Sequence, residues 1–304
     1  MTAEPEPLAA DEPAPPASWI DHVEAWGAGL VLGAFRILPI DAASAVGGAL
    51  ARWLGPFFGV SKRARRNLHA AFPELSDAEI EAIVRRMWDN LGRVVAEYPH
   101  LRKIEIFAPG GRVEAHGFER FHQAIAAGRR MIMFSGHLAN WELAHISIMQ
   151  AGVRTVIVYR AMNNPIVDRM LARLRGGSRE YVPKGAVAAR RAVAALRQGT
   201  HVAMFTDQKF NNGIPVPFFG RPAMTPPAMA RLALRYDCDV YPLRMERLHG
   251  ARFRLTVEEK LELPHSGDRN ADIAALMAAA NATIERWIRE RPEQWLWLHN
   301  RWPD

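Results

Sequence analysis

Residues 130–143 read RMIMFSGHLANWEL. The apolar run ending at Phe134 is too short for a buried helix, Ser135 and Gly136 interrupt it, and a helical pattern takes over at Trp141. That is a strand, a turn and a helix, with His137 at the tip of the strand. Gly136 permits a tight exit, Asn140 is placed as a helix N-cap, and Glu142 then falls in the first helical turn.

The same alternation continues outward. TVIVY (155–159), HVAMF (201–205), DVYPLRM (239–245) and RFRLTVE (252–258) read as strands, and residues 141–150, 165–174, 186–198 and 227–236 between them as helices. Strands alternating with helices indicate an α/β fold: a largely parallel, mixed sheet flanked by helices, with the last two strands as an antiparallel hairpin at an edge. Residues 270–290 read as a closing helix. Upstream, residues 67–101 read as helical, with Ser76 and Glu79 in capping-box spacing. The organisation expected is a disordered leader (1–18), an apolar helical segment (19–66) and an α/β domain (67–304).

The leader MTAEPEPLAADEPAPPAS is rich in Pro, Ala and acid, and lacks the basic start and apolar core of a secretory signal. From Trp26 to Val60 the chain is strongly apolar, but Arg36, Asp41 and Arg52 divide it. Neither uncharged run reaches the roughly 18 residues of a spanning helix. Pro39 suggests two short helices, and Lys62, Arg63, Arg65 and Arg66 follow where anionic head groups would lie. The expectation is an interfacial or re-entrant membrane anchor; the alternative is a helix pair buried under the main domain.

The net charge of +7 favours an acidic partner: nucleic acid, an anionic bilayer or a phosphorylated substrate. The aromatic and basic strings of RNA-binding strands are missing, which argues against nucleic acid. Cys238 is the only cysteine, so there is no internal disulfide, no C-x-x-C redox pair and no multi-Cys zinc site, and a reducing compartment fits.

In open α/β sheets, ligands gather beyond the carboxyl ends of the strands. His137 emerges there, and a turn can bring Glu142 to its ring, giving a general base in which the carboxylate holds one nitrogen as N–H while the other accepts a hydroxyl proton. Asp207 follows HVAMF on the same side, placed to bind a polar group or to steady a positive side chain. Between residues 160 and 191 basic side chains outnumber acidic ones. Arg160 at a strand end and Arg175 beside a glycine turn suit an anionic acceptor, whereas Arg169, Arg173, Arg190 and Arg191 fit a solvated helix face. The loop GIPVPFFGRPAMTPP (213–227) is proline-stiffened and apolar, and Trp295, Trp297 and Trp302 suit core packing or an interface.

A His, four intervening residues and an acid is also the signature of glycerolipid-type acyltransferases. More narrowly, RRNLHAAFPELSDAE, GHLANWEL, YRAMNNP, TDQ with VPFFGRPAMTPP, and RPEQWLWLHNRW resemble, in one order, strings of the lipid A late acyltransferases, over most of residues 20–304. The resemblance implies a glycerolipid-acyltransferase-like fold and transfer of a fatty acyl chain from an acyl carrier protein thioester to a hydroxyl of a lipid A precursor, at the cytoplasmic face of the inner membrane. His137 would be the base and Glu142 its partner, with direct attack and no acyl-enzyme. Asn140, Arg160, Arg175, Asp207 and Gln208 are the candidate substrate contacts; no metal or cofactor is implied beyond the acyl-carrier co-substrate. Three other readings stay open: another anionic glycolipid or aminolipid acceptor, a metal-dependent hydrolase using His137, Glu142 and His145, and a basic surface-binding protein without catalysis.

Overall fold

The computed structural model describes residues 17–176 and 181–302. The leader up to residue 16, and Arg179 of the basic stretch, lie outside the described residues. The chain opens with helices α1 (Trp19–Ile37), α2 (Ile40–Leu54), α3 (Ser61–Ala71) and α4 (Asp77–Glu97). Ser18 caps α1 and Ser76 caps α4, each in a reciprocal capping box. The break between α1 and α2 falls at Pro39, as expected from its missing N–H. The segment 67–101 is not one helix: residues 72–76, containing Pro73, separate α3 from α4, and a 3₁₀ turn follows from Tyr98.

The α/β part then runs β1 (Val113–His116), α5 (Glu119–Ala126), β2 (Met131–Ser135), α6 (Glu142–Gln150), β3 (Thr155–Tyr159), α7 (Pro165–Arg175), β4 (Tyr181–Pro183), α8 (Ala186–Arg197) and β5 (His201–Phe205). It finishes with β6 (Ile214–Phe218), β7 (Arg221–Thr225), α9 (Ala228–Tyr236), β8 (Asp239–His249), β9 (Arg252–Val257) and α10 (Arg269–Glu290). The seven-stranded sheet has the order β1-β9-β8-β2-β5-β3-β4. Strands β8, β2, β5, β3 and β4 are mutually parallel. The β8–β9 hairpin is antiparallel as expected, but β1 pairs outside β9 and takes the edge. The stretch 213–227, read as a loop, folds into the β6–β7 ribbon, a two-stranded sheet whose prolines lose no ladder partners in a larger sheet.

Because β2 is covered on both faces, all five of its residues are buried. Ile132 and Phe134 join a core with α9 and α10, where Phe134 stacks on Trp287 at 6.4 Å. Met131 and Met133 join the opposite core with α5 and α6. Trp295, Trp297 and Trp302 are core residues.

Helix α2 crosses α4 at Gly47 and Gly92, with backbones so close that a Cβ at Gly92 would meet the Gly47 carbonyl at 2.2 Å. The inner faces of α1 and α2 are thus packed, but their outer faces are not: Trp26 is 71% exposed, Trp53 68% and Phe57, just beyond α2, 76%. The pair is therefore not buried under the domain. No helix among the described residues is long and apolar enough to cross a membrane.

Candidate active site

The central strands β2 and β5 are parallel neighbours, with Ser135 opposite Phe205. Continuing two residues past each places His137 beside Asp207. The Asp207 carboxylate accepts from the His137 backbone N–H at 2.7 Å through Oδ2 and lies 2.8 Å from His137 Nδ1 through Oδ1. A third donor, Trp295 Nε1, reaches Oδ2 at 2.8 Å. Burial opposes the charge on Asp207, but the imidazole, these N–H groups and the indole together hold its carboxyl well below the usual range. A carboxylate only accepts, so Nδ1 presents its proton to Asp207 and Nε2 is the ring nitrogen turned away from the carboxylate.

Gln208 places its side-chain amide 3.3 Å from His137 Nε2 and 3.0 Å from Nε2 of His299. Burial, and next the nearby His137, push His299 down to about 4, so it is neutral near pH 7. Phe205 and Trp141 flank the His137 ring at centroid distances of 4.5 and 5.5 Å.

The loop is held from outside. Leu296 N–H donates to the His137 carbonyl, Ala139 N–H to the Gln294 carbonyl, and Asn90 from α4 to the Ala139 carbonyl. Ala139 adopts a φ of 50°, a left-handed geometry that these flanking bonds enforce. Gly136 leaves the room: a Cβ there would meet the Leu138 side chain at 2.8 Å and Asp207 Oδ2 at 3.4 Å. Arg63, exposed on α3, donates to the Leu298 carbonyl, and Arg65 pairs with Glu81.

The expected contact between His137 and Glu142 does not form. Glu142 opens α6 with its side chain turned inward, where Arg175 binds both carboxylate oxygens at 2.5 and 2.7 Å and the Tyr98 hydroxyl donates at 2.5 Å. Burial raises the carboxyl of Glu142, but Arg175 and Tyr98 outweigh it and hold it low. Arg175 lies among the rings of Tyr98, Tyr159 and Tyr181, 5.7–5.9 Å from each, so its guanidinium is committed to this cage rather than turned to an anionic acceptor.

Asn140 also differs from expectation. It does not cap α6; it is fully buried and donates to Glu97, which is itself paired with Arg247. Arg160 is exposed at the end of β3, close enough for its charge to act on His299 and Lys184. The structure thus gathers His137, Asp207 and Gln208, brings Arg160 near, and sends Glu142, Arg175 and Asn140 into buried supporting networks.

His299 and Trp295 were not among the residues expected at the site, although the string RPEQWLWLHNRW contains both. The only signal available was a polar His and Asn set into an otherwise tryptophan-rich segment. His145 packs against Phe205, and burial pushes it down to about 4. With Glu142 bound by Arg175 and Tyr98, the set His137, Glu142 and His145 does not assemble, and no three His, Cys, Asp or Glu side chains among the described residues form a metal-binding group. Burial pushes the Cys238 thiol up to about 12, which removes it as a nucleophile at neutral pH.

Over 91% of its length the chain is 27% identical to the lipid A biosynthesis myristoyltransferase of Escherichia coli K12, covering 87% of that protein. It is 25% identical to the lauroyltransferase of the same organism over 79% of this chain and 78% of that one. With its palmitoleoyltransferase it shares 27% identity over 78% of this chain and 77% of that one. The bacterial lipid A biosynthesis acyltransferase family matches residues 16–304, and with a match spanning nearly the whole chain the protein belongs to that family.

Proposed function

We propose that this protein transfers a fatty acyl chain from an acyl carrier protein thioester to a hydroxyl of a lipid A precursor, with His137 as general base and Asp207 as its orienting partner. The observation that carries the reading is the 2.8 Å contact between His137 Nδ1 and Asp207, which leaves Nε2 as the basic nitrogen. An acceptor hydroxyl displaces the Gln208 amide from Nε2 and gives up its proton as its oxygen attacks the thioester carbonyl. The tetrahedral intermediate collapses by breaking the C–S bond, and the imidazolium returns the proton to the departing thiolate. Ester and thiol are the products, and no acyl-enzyme forms. Asp207 stabilises the positive ring that exists only during the reaction. Glu142 is a positioning residue that holds Arg175 and Tyr98 behind α6. Arg160, exposed beside the site, is the candidate for an acceptor phosphate.

The protein acts at a membrane surface, which we assign to the cytoplasmic face of the inner membrane, where acyl carrier protein is available. Supporting this, most of the exposed large hydrophobic side chains lie between Trp19 and Phe58. The chain is proposed to rest on the bilayer through these residues.

The test is lipid mass spectrometry of cells with and without the gene, alongside purified His137→Ala. One acyl mass is expected to disappear from the lipid A fraction without the gene. The variant is expected to lose a factor of roughly 10² to 10⁴ in rate, the usual weight of general-base catalysis. An unchanged lipid A profile would reject the acceptor, and a fully active variant would reject the mechanism.

A further inference from the structure

A cavity of about 380 Å³ opens where α1 ends and α2 begins, lined by the side chains of Arg36, Lys103 and Arg112 around an apolar floor that includes Leu38, Ile40 and Ile104. Its size falls in the range of small-ligand pockets, roughly 300 to 1,000 Å³. It shares no residue with the His137 site. Arg112 is paired by both guanidinium arms with Asp41, at 2.7 Å each. Arg36 and Lys103 have no carboxylate partner among the described residues, and both are exposed. His100, also in the wall, is occupied by the Phe35 carbonyl at 3.0 Å. The wall is therefore cationic, with two charges uncompensated.

The surroundings say what would fill it. Trp19, Val23, Trp26, Leu30 and Ile37 are all exposed and lie at helical spacing along one side of α1. The stripe ends in Ile37, which is 85% exposed and forms part of the cavity wall. An apolar stripe that ends at a basic hollow matches an amphiphile whose chains lie along α1 and whose phosphate enters the cavity. The uncapped start of α2 adds backbone N–H groups on the same side.

We propose that this cavity binds the phosphate of an anionic phospholipid head group, at a site separate from the catalytic one. The proposal rests on the membrane reading for its lipid source, while the phosphate chemistry stands independently. Arg36 and Lys103 supply the attraction, and Arg112, fixed by Asp41, sets the shape.

The test uses the full chain and vesicles of phosphatidylcholine alone or with 30% phosphatidylglycerol. The variant Arg36→Ala/Lys103→Ala is compared with Arg190→Ala/Arg197→Ala, which removes two exposed charges from α8. The cavity variant is expected to bind phosphatidylglycerol vesicles on the order of 25-fold more weakly than the parent, and phosphatidylcholine vesicles equally well. The α8 variant should match the parent. Equal losses in both variants would overturn the site in favour of general charge attraction. In parallel, millimolar inorganic phosphate is expected to raise the melting temperature of the parent but not of the cavity variant. If the parent binds neither vesicle, the membrane reading fails, and phosphate protection confined to the intact cavity would still support a phosphate site with a soluble source. Absence of both vesicle selectivity and phosphate protection ends the proposal.

Discussion

Replacing Asp207 by asparagine tests the proposed base most directly, because it keeps the side-chain shape while removing the charge. In the parent, Asp207 accepts from the His137 backbone, from His137 Nδ1 and from Trp295. An imidazolium facing this carboxylate, with charge centres about 4 Å apart and an effective dielectric constant of about 20, is stabilised by roughly 4 kcal/mol. Since the positive ring arises only as the hydroxyl proton is taken, that loss falls on the barrier, and 4 kcal/mol corresponds to about 10³ in rate. The amide can also present its NH₂ to Nδ1, which moves the ring proton to Nε2 and silences the base. Asp207→Asn should therefore lower kcat about 10³-fold and leave KM within roughly threefold, because ground-state binding does not use the charge. The assay follows labelled acyl transfer from acyl carrier protein to a lipid A precursor, with activity expressed per folded molecule from a parallel unfolding curve. A folded Asp207→Asn enzyme within tenfold of the parent, beside an inactive His137→Ala, would refute the pairing as the source of catalysis.

Glu142→Gln separates the support from the base. Its side chain is 4% exposed and that of Arg175 10%, so breaking the pair strands a nearly buried cation and should cost about 3–5 kcal/mol in urea unfolding at pH 7. Because the folded carboxyl titrates below its unfolded value, this advantage is complete above about pH 5 and is lost as the pH falls through the lowered folded value; a stability gap that does not narrow in acid would contradict it. His145 works at a different pH: folding holds it neutral to about 4, so the unfolded chain binds the extra proton between about pH 6.5 and 4. Stability should fall over that window by about 2–3 kcal/mol on account of this ring. His145→Phe should flatten the fall, and an unchanged slope would place the acid sensitivity elsewhere.

The strand and helix alternation was readable because each inner strand is a short apolar run between polar or glycine breaks, as in Met131–Phe134. Strands β1 and β4 were not, since edge segments such as Val113–His116 and Tyr181–Pro183 are short and carry little apolar signal. The position of His137 followed from its strand, but its partner did not. Glu142 is near in sequence, yet the start of α6 turns it towards Tyr98 and Arg175, while Asp207, 70 residues away, arrives through the adjacency of β2 and β5. Strand order is a tertiary property, and local spacing carries no trace of it. The sequence did place Asp207 on the same side of the sheet as His137, but left open whether it binds a polar group of the substrate or steadies a positive side chain.

The crossing at Gly47 and Gly92 has a mechanical consequence. Helix α4 is clasped by α2 there and, through Asn90, also grips the loop that carries His137. On the bilayer proposed above, the apolar outer side of α2 and the reactive imidazole then belong to one stiff lever. Under that proposal the height of the ring over the lipids would be a built-in ruler, and an acceptor would be selected by how far its alcohol stands above the surface as well as by its charge.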